Sequence, residues 1–202
     1  MSTNRRIYLD FNATAPLVPA ARDAMVEAMS DVGNPSSVHA EGRKMRDRLE
    51  RARNQVATLV GRPREQIVFT SGGTEANWLG VMALAAAAEK RGLPKVVATT
   101  KIEHPSLLGA VEALRARGWQ VVSLERANEA GVVAHALVNH ELGTIQETPP
   151  TSGLVHVDAV QAAGKLDLTT VRAHALAISA HKIGGPQGAG AIAIEIDDGL
   201  PL

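Results

Sequence analysis

Seven short runs rich in apolar and β-branched residues recur along the chain: "QIVFTS" (66–71), "KVVATT" (95–100), "QVVSL" (120–124), "HALVNH" (135–140), "LVHVDAV" (154–160), "ALAISA" (175–180) and "GAIAIEI" (190–196). Most are apolar at successive positions rather than at alternate ones. That pattern belongs to strands buried on both faces, as in a parallel sheet covered by helices. Between several runs lie helical periods. Over 43–61, Met45, Leu49, Ala52, Val56 and Leu59 follow steps of four and three, and Gly61 is a C-terminal stop. The segment 74–92 reads as a helix capped by Thr74 and closed by Gly92, and 105–118 as one opened by Pro105 and closed by Gly118. The expected fold class is therefore α/β, a mostly parallel seven-stranded sheet flanked by helices, in a single domain over 1–202.

Two connections are short. Only 125–134 joins the third run to the fourth, too little for a packed helix, and 141–153, with two prolines and two glycines, reads as a loop. One face of the sheet is thus expected to lack helical cover, to be buried by a partner subunit or by rearranged neighbours.

Charge and composition narrow the function. Lys+Arg 21 against Asp+Glu 21 leaves a formal charge of +0, so no global field draws in nucleic acid or an anionic membrane. The locally basic stretch 43–53 has acids interleaved at helical spacing and reads as a solvated face. No apolar run is long enough to span a bilayer, and no apolar stretch follows Arg5 and Arg6, so a cytoplasmic protein is expected. With no cysteine, disulfides, thiolate metal sites and thiol nucleophiles drop out.

In an open parallel sheet, ligands gather beyond the carboxyl ends of the strands, and the chemistry-bearing residues collect at the ends of these runs. "GGTEAN" offers Gly72, Gly73 and Thr74 at a helix start, a ready cup for phosphate. His104 follows the second run, Asp158 ends the fifth with Gln161 three residues on, and His181 and Lys182 follow the sixth, ahead of Gly184, Gly185, Gly188 and Gly190. A lysine desolvated at a strand end loses its proton readily, as a Schiff base with an aldehyde requires. Pyridoxal 5′-phosphate needs such an amine, an acid for its ring nitrogen, a group against its ring and a phosphate cup. Lys182, Asp158, His104 and the Gly72–Thr74 turn, with Ser179 and His181, supply all four. Each also has a plainer reading: an ordinary turn, a capping histidine, a capping aspartate. A metal cluster of His104, His140, His181 and Asp158 is a weaker alternative, since zinc needs neither Lys182 nor Gln161.

Seven stretches, "IYLDFNATAP", "GNPSSVHAEGR", "IVFTSGGTEAN", "EHPSLLGAVEAL", "VNHELGTIQ", "HVDAVQAAGKL" and "SAHKIGGPQGAGAI", occur in the order found in class V aminotransferases. Across nearly its whole length the chain resembles the large, cofactor-binding domain of that family, and within it the cysteine desulfurases. The resemblance implies pyridoxal phosphate as cofactor, with Lys182 as the Schiff-base lysine and His104 stacked on the ring as a proton carrier. It implies Asp158 at the pyridine nitrogen, Gln161 at the phenolic oxygen, and Gly73, Thr74, Ser179 and His181 around the phosphate. It also implies L-cysteine or a similar amino acid as substrate, with sulfur passed on for iron-sulfur clusters, and a homodimer. His140 stands in "VNHELG" where desulfurases usually carry asparagine near the substrate carboxylate. Relatives continue past the equivalent of "IEIDDGLPL" into a small C-terminal domain with a substrate-binding arginine and a persulfide-forming cysteine. The expectation is a large domain without that C-terminal unit, incomplete as a desulfurase when alone. The competing expectation is a non-catalytic cofactor-binding or dimerisation module.

Overall fold

The computed structural model describes residues 6–195. Ile196, the last residue of the seventh apolar run, and 197–202 lie outside them, as do residues 1–5. Eleven regular elements follow one another: α1 (Pro19–Met29), α2 (Ala40–Val60), β1 (Ile67–Thr70), α3 (Gly73–Lys90), β2 (Val96–Thr99), α4 (Pro105–Ala116), β3 (Gln120–Ser123), β4 (Val132–Ala136), β5 (Leu154–Asp158), β6 (Ala175–Ser179) and β7 (Gly190–Ile194). The seven strands form one sheet in the order β1-β7-β6-β5-β4-β2-β3. Strands β3, β2, β4, β5 and β6 are parallel neighbours, whereas β7 runs antiparallel to both β6 and β1. The expected mixed α/β architecture with a mostly parallel sheet is the one observed.

Because β7 is reversed, its start at Gly190 lies at the same sheet edge as the ends of β1 and β6, in register with Thr70 and Ser179. The order also turns back on itself between β2 and β4. A crevice at the carboxyl edge is the geometric result of such a switch point.

The core divides between the two faces. On one, α3 and α4 pack small and branched side chains, Ala76, Leu84, Ala88, Leu107 and Leu114 among them, against Val132, Ala177 and Ile192. Alanine and glycine dominate the buried side of α3, which lets the helix lie close on the sheet. On the other face, Ala57 and Val60 of α2 share the work with Ala127 of a 3-10 segment and with Ala159, Ala162, Ala163 and Leu168 of turns and coil.

That second face decides between the two expected kinds of cover. Strands β4 to β7 are buried at every position. The first short connection covers the sheet through a 3-10 segment, Leu124–Glu129, and the β5–β6 connection adds the turns that follow β5. Rearranged neighbours, rather than a partner, take the place of the missing helices there.

Three corrections concern local structure. The fourth strand was expected at 135–140 and lies at Val132–Ala136, because Val132 and Val133 are the residues that pair with β2 and β5. Beyond Ala136 the chain leaves the sheet and makes a small bridge, Val138 to Ile145. Thr74 does not cap α3: the N-cap is Gly72, without any side-chain cap bond, and Thr74 sits in the first turn. Helix α1 was not anticipated, since it buries none of its residues and so carries no core stripe to read. No described helix is long and apolar enough to cross a membrane.

Candidate functional site

At the carboxyl edge of the sheet lies a cavity of about 300 Å³ whose walls include Gly73, Thr74, His104, His140, Asp158, Gln161, Ser179, His181 and Lys182. These nine residues singled out in the sequence meet there, and Gly72 lines the adjoining hollow that shares Gly73, Thr74, Ser179 and His181. Asn77, Ser106 and Ala13 complete its polar and N-terminal walls, and none of these was picked out beforehand.

Each wall follows from local structure. The helix α3 starts at the cavity with a glycine N-cap, so the first-turn N–H groups have neither an intrahelical acceptor nor a capping side chain. They make an anion-facing helix start. Close packing enforces glycine nearby: a Cβ on Gly73 would sit 2.9 Å from Val160 Cγ2, and one on Gly190 2.7 Å from Gly72 Cα. Glu75 reaches back from the same turn, accepting from the Ser71 backbone N–H at 2.6 Å and its hydroxyl at 2.7 Å.

His104 is the N-cap of α4, its Nδ1 accepting from the Ser106 backbone N–H at 3.1 Å. The Ser106 hydroxyl also meets Nδ1 at 2.7 Å. With Nδ1 accepting, the neutral ring carries its proton on Nε2. The residue remains exposed, yet desolvation of the ring lowers its pKa below the ordinary histidine value, against the opposing pull of Asp158 and with help from His140 and Lys182. His140 stands edge-on to it, with ring centroids 5.3 Å apart.

Asp158 ends β5, is buried, and accepts with both oxygens: Oδ1 from the Val160 backbone N–H at 2.9 Å, Oδ2 from Asn77 Nδ2 at 2.8 Å. The Oδ1 bond closes a turn two residues on and leaves Asp158 without a helix to cap, so the capping role read from sequence is corrected to a turn. Residues 160–165 form turns, not the helix that the Asp158 to Gln161 spacing suggested.

Gln161 and Lys182 share a partner. Gln161 Nε2 donates to the Asn12 carbonyl at 2.9 Å, and Gln161 Oε1 accepts from Lys165 Nζ at 3.0 Å. Lys182 Nζ donates to the Asn12 carbonyl as well, and to that of Ala13 at 3.0 Å. Partial burial, then the nearby Lys165, lower the Lys182 pKa, while Asp10 and Asp158 oppose the shift. His181 Nδ1 meets Thr14 Oγ1 at 3.2 Å, and burial lowers its pKa too. The segment 12–14 therefore walls the site from far away in sequence. Its quoted motif gave the stretch but no residue role. Asn77 was discoverable as the position one turn after Thr74 on the same helix face.

Among the described residues no three His, Cys, Asp or Glu side chains are grouped to hold a metal.

The seven-stranded α/β sheet carries a lysine, an aspartate and a glycine-started helix converging at its carboxyl edge, and the class-V aminotransferase family model matches residues 7–198. The chain belongs to that family. Its relatives are cysteine desulfurases: it is 36% identical over 215 residues to the cysteine desulfurase IscS of Stutzerimonas stutzeri, spanning 92% of this chain and 52% of that one. Among solved structures, a NifS-like protein superposes with a TM-score of 0.84 at 30% identity, over 98% of this chain and 61% of the other. A second, SspA in complex with cysteine, gives a TM-score of 0.78 at 26% identity, over 94% and 61%. The chain spans about half the length of the curated relatives it matches.

Proposed function

We propose that this chain is the pyridoxal-phosphate-binding core of a cysteine desulfurase, acting on L-cysteine as part of a cytoplasmic homodimer and yielding L-alanine and sulfur for iron-sulfur clusters. The observation that carries the reading is the meeting of Lys182, Asp158, His104 and the uncapped start of α3 around one cavity. The residues fit the cofactor chemically. Asp158 accepts with both oxygens, the state needed opposite a protonated ring nitrogen. The α3 N–H groups, Thr74, Ser179 and His181 form a donor set suited to a phosphate dianion. Apolar side chains exposed before α1, Ile7, Leu9 and Phe11, are in keeping with a partner subunit.

When bound, the cofactor supplies an electron sink for the bond-breaking steps. The protein's part is positioning and proton handling. Lys182, its pKa lowered by burial, more readily presents the neutral amine that takes the aldehyde, after giving up the Asn12 and Ala13 carbonyls. Asp158 would hold the ring nitrogen proton. His104, neutral and protonated on Nε2, would exchange a proton with the substrate.

The test is to load the full chain with pyridoxal phosphate, reduce with borohydride and map the labelled peptide. Label on Lys182, lost in Lys182→Ala, supports the reading; label elsewhere or none overturns it.

The lack of any cysteine in the 202 residues favours a second reading, a cofactor-binding module that does not itself turn over. In that reading a persulfide carrier comes from outside these 202 residues, and where it is an added thiol it lacks the effective molarity of a tethered group, about 10⁵ M or more. Incubation with L-cysteine, assayed for alanine with and without thiol, separates the two. Repeated thiol-free turnover excludes the second.

A further inference from the structure

Beneath the cavity, two buried polar residues hold positions that a helix and a strand rarely devote to polar groups. Asn77 on α3 is 1% exposed and His156 in the middle of β5 is 0% exposed. Their contacts form a directed chain. His156 Nε2 lies 2.9 Å from Asn77 Oδ1, and an amide oxygen only accepts, so the imidazole proton is on Nε2. His156 Nδ1 is buried without a partner, as suits a lone pair and not an N–H. With Asn77 Oδ1 occupied, both hydrogens of its Nδ2 point the other way: one to Asp158 Oδ2 at 2.8 Å, the other to Ser106 Oγ at 2.9 Å. Ser106 then donates its own proton to His104 Nδ1.

The histidine is held in this pose by packing. A Cβ on Gly80, one turn beyond Asn77 on α3, would overlap His156 Nδ1 and Cε1, so only glycine leaves room for the ring. The ring is desolvated enough that its pKa falls to about 3, with the neighbouring His135 adding to the effect, so it stays neutral.

We propose that Asn77, with its amide orientation fixed by His156, is the positioning residue that aims the Asp158 carboxylate into the cavity and ties its placement to that of His104. Without the histidine, the amide could turn and present an oxygen to the carboxylate, a repulsive contact. The role rests on the cofactor reading for its consequence, since Asp158 faces the ring nitrogen only if pyridoxal phosphate binds, but the geometry itself does not depend on it.

The experiment has two arms. In the first, long-range proton–nitrogen spectra of the ¹⁵N-labelled full chain without cofactor report the tautomer of His156. A single Nε2–H tautomer, lost or mixed in Asn77→Leu, is expected; an Nδ1–H tautomer in the parent chain overturns the proposal. In the second, parent, Asn77→Leu, His156→Leu and His156→Gln chains are titrated with pyridoxal phosphate and with its analogue carrying carbon in place of the ring nitrogen. Asn77→Leu and His156→Leu should weaken pyridoxal phosphate about tenfold, the scale of one hydrogen bond to a charged group, and the analogue less than about twofold. His156→Gln, which keeps an N–H donor, should restore binding to within about threefold. Equal losses for both ligands would reveal a merely structural effect and overturn the proposal, as would unchanged affinity for pyridoxal phosphate. Thermal melts identify any variant that does not fold, and Asn77→Ser is then read in place of Asn77→Leu. A parent chain that binds neither ligand sinks the proposed function, while the first arm still decides this inference.

Discussion

The strand ends of β4 to β6 and the segment before α2 build the same cavity by opposite means. The strands are buried at every position, and their side chains are held by α3 on one side and by tightly folded coil on the other. The N-terminal segment exposes Val26 at 63%, Met29 at 77% and Val32 at 83%, and α1 buries nothing. It is held instead by polar ties: Arg48 of α2 to Glu27 and Asp31, the Ala15 N–H to the His181 carbonyl at 2.8 Å, and the Val18 N–H to that of Gly184 at 2.9 Å. Yet this segment supplies the carbonyls that engage Lys182 and Gln161. One wall of the site is rigid by packing, and the other is placed by a few hydrogen bonds. Stability and site geometry are therefore separable properties in this chain.

The largest effect that tests the contrast comes from acid. His156 folds neutral, with its pKa depressed from 6.5 to about 3. Its contribution is present above the unfolded pKa and lost as pH falls from about 6.5 towards 3, amounting to as much as ~5 kcal/mol. Urea unfolding across that range should steepen accordingly, and His156→Gln should remove much of the slope. A parent chain whose stability is flat there would mean that the strand interior is not as dry as its packing indicates.

Next in size is the cost of a cavity. Leu84, fully buried between α3 and the sheet, should lose about 3 kcal/mol on Leu84→Ala, whereas Met29→Ala on α1 should stay within ~0.5 kcal/mol. Comparable losses in denaturant melts would erase the distinction between the two regions.

Cofactor affinity sharpens it at the site itself. Asp158 stands on the packed wall, and Gln161 leans on the Asn12 carbonyl and Lys165. Asp158→Ala should weaken pyridoxal phosphate by about 1.5–3 kcal/mol and Gln161→Ala by about 0.5–1.5 kcal/mol, as a charge-assisted bond differs from a neutral one. Equal losses in a spectroscopic titration contradict that order.

The smallest change concerns the tether. Arg48→Ala should leave the melting temperature nearly unaltered and speed proteolytic cleavage around α1, because it frees a segment without opening the core. An unchanged digestion rate would show that the segment is held by something other than these ion pairs.

The packed region was also the legible one. Continuous apolar runs marked six of the strands closely: in β5, β6 and β7 burial on both faces leaves no alternation, whereas β1 and β3, partly exposed, show through their β-branched and aromatic residues. The fourth slipped because 135–140 offers Ala136, Leu137 and Val138, as apolar as the true strand, and only pairing with Val97 and Val155 decides between them. Lys182, His104 and Asp158 were visible because polar residues at strand ends have few structural reasons to be there. Asn77 was hidden by its setting in a helix, where an asparagine looks solvated, although His156 and Asp158 bury it. The Asn12 carbonyl could not be read at all: a backbone acceptor has no residue type, and its partner lies 170 positions away.

The reversed strand β7 has a consequence for biosynthesis. Within the sheet β1 touches only β7, so it has no strand partner until residues near 194 have left the ribosome. At ordinary elongation rates of ~5–20 residues per second, β1 waits roughly ten seconds. Meanwhile α2 can shelter it, with the Arg53 guanidinium 5.2 Å from the Phe69 ring centroid and donating to the Ile67 carbonyl. The glycine turn that opens α3 gains its floor last, when Gly190 closes against Gly72. A nascent chain thus carries most of its sheet before it has an anion-binding pocket.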